Sequence, residues 1–123
     1  MVRPGKRLLV VEDDAFAREA MSTLLEAEGY QVASAANGRE ALGQLRGTIL
    51  PDLILLDLVM PVMDGLEFCR QQRSDDRLAE IPVLIVSARD AVLPDPFLAP
   101  QIVGHLVKPV LVDDLLAHVR QCC

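Results

Sequence analysis

Leu53-Ile54-Leu55-Leu56, entered after Pro51 and stopped by Asp57, constrains the fold of this chain more than any other stretch. Four aliphatic residues in a row leave no side to turn toward water, so a strand made of them is covered on both faces. Comparable apolar runs occur at Lys6 to Val11 (KRLLVV), Tyr30 to Ala35, Pro82 to Ser87 (PVLIVS) and Gly104 to Val107 (GHLV). Between them the apolar residues change to helical spacing. Phe16, Ala17, Ala20, Met21, Leu24 and Leu25 predict a first helix closed by Gly29. Asn37 with Glu40 is a capping-box-like start for a short helix over Ala41, Leu42 and Leu45, and Asp64 with Glu67 opens another that runs to about Arg73. Val112 to Val119 predicts a last short helix. Strands and helices that alternate this way predict a parallel sheet with helices on both faces.

At 123 residues the chain has the length of one domain. Its residues are 51% hydrophobic but only 3% aromatic, so the expected core is aliphatic and large enough to need no staples. The net charge of −6 repels phosphate backbones, and direct nucleic-acid binding is not expected. No apolar run approaches the roughly 20 residues that cross a bilayer. Met1 to Lys6 lacks the long apolar stretch of a secretory signal, so a cytosolic chain without membrane association is expected. Cys69, Cys122 and Cys123 have no ligand-like spacing with His105 or His118, and their odd number fits reduced thiols.

Doubly wound sheets keep their sites beyond the carboxyl ends of the strands, where strand order reverses. To that edge strand one brings Glu12, Asp13 and Asp14, strand three Asp57, strand four Ser87, and strand five Lys108-Pro109. A strand spacing of ~4.8 Å brings the acids of strands one and three within a few ångströms. There they raise one another's pKa unless a cation joins them. Oxygen ligands without a nearby His or Cys suit a hard ion, and Mg²⁺ is the cytosolic default. Any single acid here has a plainer use, since acids at strand ends cap helices and Asp14 alone fits that role for the first helix. The combination points further. An ammonium and a hydroxyl beside a metal-bound carboxylate cradle the oxygens of a phosphoryl group.

The pieces "LLVVEDD" at 8–14, "PDLILLDLVMPVMDG" at 51–65, "PVLIVSA" at 82–88 and "LVKP" at 106–109 together resemble a response-regulator receiver domain of two-component signalling. The resemblance covers nearly the whole chain. It implies an α/β, flavodoxin-like (βα)5 doubly wound parallel sheet with strand order 2-1-3-4-5, and one receiver domain over 1–123 with no output domain. By position it implies Asp57 as phosphoacceptor and Glu12 and Asp13 as the acidic pair for Mg²⁺, Asp13 directly and Glu12 through water. The Val59 backbone carbonyl is implied as a further metal ligand, Ser87 as the switch hydroxyl and Lys108 as the grip on the phosphoryl group. The peptide before Pro109 is often cis in such domains.

The implied function is Mg²⁺-dependent acceptance of a phosphoryl group from a sensor histidine kinase or a histidine phosphotransfer domain. The aspartyl phosphate is later released by water, as a signalling switch in a phosphorelay rather than an enzyme that turns over an external substrate. The downstream protein or fused output domain is unknown, and a homodimer stays open. Two departures from the family's pattern stand out. His105 takes the place of the switch aromatic, three residues before Lys108, either as a weakened partner of Ser87 or as a surface residue beside a strand. In "RDAVLPDPFLAPQIVG" the prolines Pro94, Pro96 and Pro100 stand where the fourth helix belongs, and a proline inside a helix costs ~3 kcal/mol. That helix is therefore expected to be irregular, shortened, broken or extended over Val92 to Ala99. Leu93, Phe97 and Leu98 would form either a partner-binding patch or part of the core. Two other functions keep some weight: an interaction module of the same fold that signals without phosphate, and a metal-dependent hydrolase with Asp57 as nucleophile.

Overall fold

Alternate residues of a strand face opposite sides of a sheet, and this alternation sorts the aliphatic residues into two cores. The computed structural model describes residues 6–47, 49–88, 93, 95 and 99–123. The strands β1 (Arg7–Val11), β2 (Gln31–Ala35), β3 (Leu53–Leu56), β4 (Val83–Ser87) and β5 (Ile102–Val107) form one sheet in the order β2-β1-β3-β4-β5. Every pairing is parallel. The helices are α1 (Ala15–Ala27), α2 (Gly38–Leu45), α3 (Gly65–Arg73) and α4 (Val112–Cys122). Leu9, Val11, Ile54, Leu56, Val83 and Ile85 share one core with Leu42 and Leu45 of α2 and Phe68 of α3. Leu8, Val10, Leu53, Leu55, Leu84 and Val86 share the other with Leu25 of α1 and Leu115 and Val119 of α4. The central strands β3 and β4 are buried along their whole length, as an uninterrupted aliphatic run requires.

Local chemistry starts the helices where the sequence predicts. Asp14 accepts hydrogen bonds from the Phe16 and Ala17 N–H groups at 2.9 and 3.2 Å, and Asn37 and Asp64 cap α2 and α3 through the N–H groups of Glu40 and Glu67. Glu40 returns its carboxylate to the Ala36 N–H at 3.4 Å, one residue earlier than a standard capping box. Gly29 leaves α1 at φ 98°, a conformation that favours glycine. Two boundaries differ from expectation by more than one residue. β5 begins at Ile102, before the predicted Gly104, with a register shift against β4 between Val83 and Leu84. α4 runs on to Cys122, since Leu116 and Cys122 pack against its core.

Among the described residues no helix stands between β4 and β5. The expectation for 92–99 falls largely outside the described residues, as do Phe97 and Leu98. Of the rest, Leu93 is exposed, and Ala99 is buried with its N–H donating to the Asp95 carbonyl at 3.0 Å.

Candidate functional site

The sheet hydrogen-bonding continues one residue past several strands, and each of those residues carries a polar side chain. The Glu12 N–H donates to the Ala35 carbonyl at 3.0 Å, the Asp57 N–H to the Val11 carbonyl at 3.0 Å and the Lys108 N–H to the Ser87 carbonyl at 2.9 Å. Glu12, Asp57 and Lys108 are thus held by the backbone of neighbouring strands rather than by a free loop. The carboxylates of Glu12, Asp13 and Asp57 each offer an oxygen within 4.8 Å of the others. Glu12 is 1% exposed and Asp57 7%, whereas Asp13 is open to solvent. Lys108 Nζ donates to Glu12 Oε1 at 2.7 Å and to Asp57 Oδ2 at 3.1 Å. Asp57 Oδ1 accepts from the Val59 N–H at 3.1 Å.

These contacts set the charges. Burial pushes the Glu12 carboxyl up, the neighbouring Asp57 carboxylate adds to it, and Lys108 pulls only partly back, leaving a pKa of about 7. Burial also acts upward on Asp57, but there the neighbouring Glu12 carboxyl, the Val59 N–H and Lys108 outweigh it. Asp57 lies below the usual carboxylate range. Lys108 loses from burial and gains more from its two carboxylates, so its ammonium is held above the ordinary lysine value. The result is an ionised Asp57 beside a fixed cation.

The donor set is all oxygen, and Glu12 Oε2 is buried without a hydrogen-bond partner. An unpartnered buried carboxylate oxygen beside two further carboxylates fits a hard divalent cation. Asp14, by contrast, is spent on capping α1 and stands outside this group. Ser87 is fully buried at the end of β4, with its Oγ 3.1 Å from Nε2 of the half-buried His105 on β5. Val59 is exposed, and the Lys108–Pro109 peptide is cis, as expected. Ala17 and Ala20 line a groove of about 530 Å³ with Met21, Lys108 and Pro109.

Two contributors escape a reading of the sequence alone. Arg18 Nη1 on α1 donates to the backbone carbonyls of Glu12 at 2.8 Å and Asp13 at 3.5 Å, pinning the acidic turn from behind. Its only sequence signal is a position four residues after the Asp14 cap. Gly65 is the other: a Cβ there would lie 2.7 Å from Leu58 Cα and 2.8 Å from the Asp57 carbonyl oxygen. Glycine lets α3 begin against the backbone that carries Asp57.

Parallel strands in this order, with three acids and a lysine gathered at their carboxyl edge, define a doubly wound α/β domain with an acidic site at its switch point. Residues 8–120 match the family model for the response regulator receiver domain, and the chain belongs to that family. It is 40% identical over 121 residues to the response regulator MprA of Mycolicibacterium vanbaalenii, covering 93% of this chain and 48% of that protein. The chain therefore spans about half the length of the curated relatives it matches. A putative response regulator from Chloroflexus aurantiacus has a similar structure, with a TM-score of 0.85 and 29% identity over 98% of both chains. So does the response regulator TrrA of Thermotoga maritima, solved with Mg²⁺-BeF, at a TM-score of 0.82 and 30% identity over 96% of this chain and 99% of that one. Receiver domains are signalling domains of two-component systems. They interact with sensor kinases, accept a phosphoryl group in a phosphorelay and use Mg²⁺ at an acidic cluster.

Proposed function

We propose that residues 1–123 form one receiver domain whose phosphoacceptor is Asp57, working with Mg²⁺ in the cytoplasm and receiving its phosphoryl group from a sensor histidine kinase or a histidine phosphotransfer domain. One observation carries this reading: Asp57 lies within 4.8 Å of the other two acids and also receives the ammonium of Lys108. The ionised Asp57 carboxylate attacks phosphorus, forming an O–P bond as the N–P bond of the donor's phosphohistidine breaks. Lys108, already on Oδ2, follows the phosphoryl oxygens and takes up part of their charge. The Ser87 hydroxyl donates a further hydrogen bond to them. Asp13, Asp57, Glu12 and the Val59 carbonyl are the groups that would hold the ion. Bound there, it supplies positive charge against the carboxylates and the transferring group. Arg18 keeps the Glu12–Asp13 turn in place. No described helix is long and apolar enough to cross a membrane.

The test is intact-protein mass spectrometry with Mg²⁺ and acetyl phosphate. The expected result is a gain of one phosphoryl group, lost in Asp57→Asn, lost on chelation and slowed more than about tenfold in Lys108→Ala. A folded wild-type chain that gains nothing would instead support the interaction module that signals without phosphate.

A further inference from the structure

The Ser87 hydroxyl has one side-chain partner among the described residues, Nε2 of His105 at 3.1 Å. Ser87 is 0% exposed, so its hydroxyl is shut off from bulk solvent. Among the described residues the ring nitrogen is the acceptor within hydrogen-bond distance of this hydroxyl, and the hydroxyl hydrogen is assigned to it. The neutral ring is then the acceptor at Nε2 and carries its own proton on Nδ1. The same hydrogen is the one Ser87 would give to a phosphoryl oxygen, and it cannot serve both.

We propose that His105 is a positioning residue that couples a proton to the phosphorylated state: the neutral ring holds the Ser87 hydroxyl hydrogen, and the protonated ring releases it. On protonation a solvent proton enters at Nε2, which becomes a donor to Ser87 Oγ. The hydroxyl then keeps its bond to the ring as an acceptor and turns its own hydrogen toward the phosphoryl oxygens on Asp57. By linkage, whatever occupies the phosphoryl position raises the proton affinity of His105, and a proton on His105 favours that occupant by the same factor. This inference rests on Asp57 being the acceptor.

Among the described residues, Ser87 is the hydrogen-bond partner of the ring. On β4 the neighbours of the ring are Ile85, its register partner, and Ser87. A cavity of about 320 Å³ beside it is bounded by apolar residues, among them Leu93, Ala99, Ile102 and Val103. Asp95 is the charged described residue of the connection that bounds the cavity. Just past the end of β5 the next charged residue is Lys108, held by Glu12 and Asp57. On α3 the charged Glu67 and Arg70 pair with each other and Arg73 closes the helix, while Gly65, Phe68, Cys69 and Gln72 are its buried residues.

The experiment is an NMR pH titration of the two histidine rings with and without Mg²⁺ and beryllofluoride, with ¹⁹F signals verifying occupancy at every pH. The ring of His105 is expected to bind its proton roughly tenfold more tightly in the beryllofluoride complex. His118, whose Nδ1 lies 2.8 Å from the Asp114 carbonyl, serves as the unmoved reference. A charge at Asp57 acting through space would shift His105 with or without the hydroxyl, so the titration is repeated in Ser87→Ala, where the shift is expected to vanish. An occupied site with His105 unmoved, or a shift that survives in Ser87→Ala, overturns the coupling alone. A site that takes no beryllofluoride at any pH overturns the acceptor reading and the coupling with it.

Discussion

With a pKa of about 7 against an ordinary 4.5, Glu12 keeps its proton in the metal-free native state where the unfolded chain has released it. Across that window the native state binds more protons, so stability falls as pH rises. The contribution is complete below the unfolded value and is lost as pH passes through the folded one. It amounts to about 3 kcal/mol at most for this group. Asp57, held low, acts with the opposite sign and only in acid, where its contribution is lost as pH falls. Urea unfolding in metal-free buffer should therefore give a higher midpoint at pH 5 than at pH 8. Glu12→Gln should flatten the difference, because its amide does not ionise. Mg²⁺ at pH 8 should restore the wild type far more than the variant, since an ion bound to the native carboxylates stabilises that state by mass action. Equal midpoints at the two pH values would mean that the buried acid is not the strained group.

At the scale of elements, the connection from β3 to α3 carries the acceptor and concentrates local strain. Val62 sits at φ 69°, a region that a β-branched residue rarely enters, and the Met63 N–H closes a tight turn on the Pro61 carbonyl at 2.7 Å. Val62 is 68% exposed, so little packing offsets the strain. Val62→Asn, which tolerates this conformation, should stabilise the fold by about 1 kcal/mol, read as a rise in the urea midpoint. A fall would show that the valine packs on something that matters. Gly65→Ala tests the other end of the same connection. Its Cβ would press on the backbone of Asp57 and Leu58, so a loss of about 2 kcal/mol is expected, with slower phosphorylation from acetyl phosphate. If Gly65→Ala keeps wild-type kinetics, α3 has shifted without moving Asp57.

At the scale of the whole molecule, most of the architecture was legible because it rests on local signals. Aliphatic runs marked β1, β3 and β4, helical spacing marked α1, and Asp14, Asn37 and Asp64 cap where capping chemistry predicts. The gathering of Glu12, Asp57 and Lys108 followed from placing each at a strand end, since parallel strands bring all their carboxyl ends to one edge. What was not legible depends on contacts between distant residues. The start of β5 at Ile102 depends on its register against β4, which a single strand does not announce. Arg18 and the buried pair Gln72 and Gln101 read as ordinary surface residues in sequence. Yet Gln72 Nε2 donates to the Leu78 and Ile81 carbonyls at 3.0 and 2.9 Å, and Gln101 Nε2 donates to Gln72 Oε1 and the Cys69 carbonyl, both at 3.2 Å. This clasp ties α3, the turns after it and the entry to β5 into one body, far along the chain from one another. Truncating either glutamine strands its partner in a dry interior, so Gln72→Leu and Gln101→Leu should each cost about 2 kcal/mol. The double variant should cost clearly less than the sum, because the second change removes a group the first had already left unpaired. Urea unfolding of the four proteins measures the coupling. Strictly additive losses would mean that the two amides act independently and that β5 is tied to α3 by apolar packing alone.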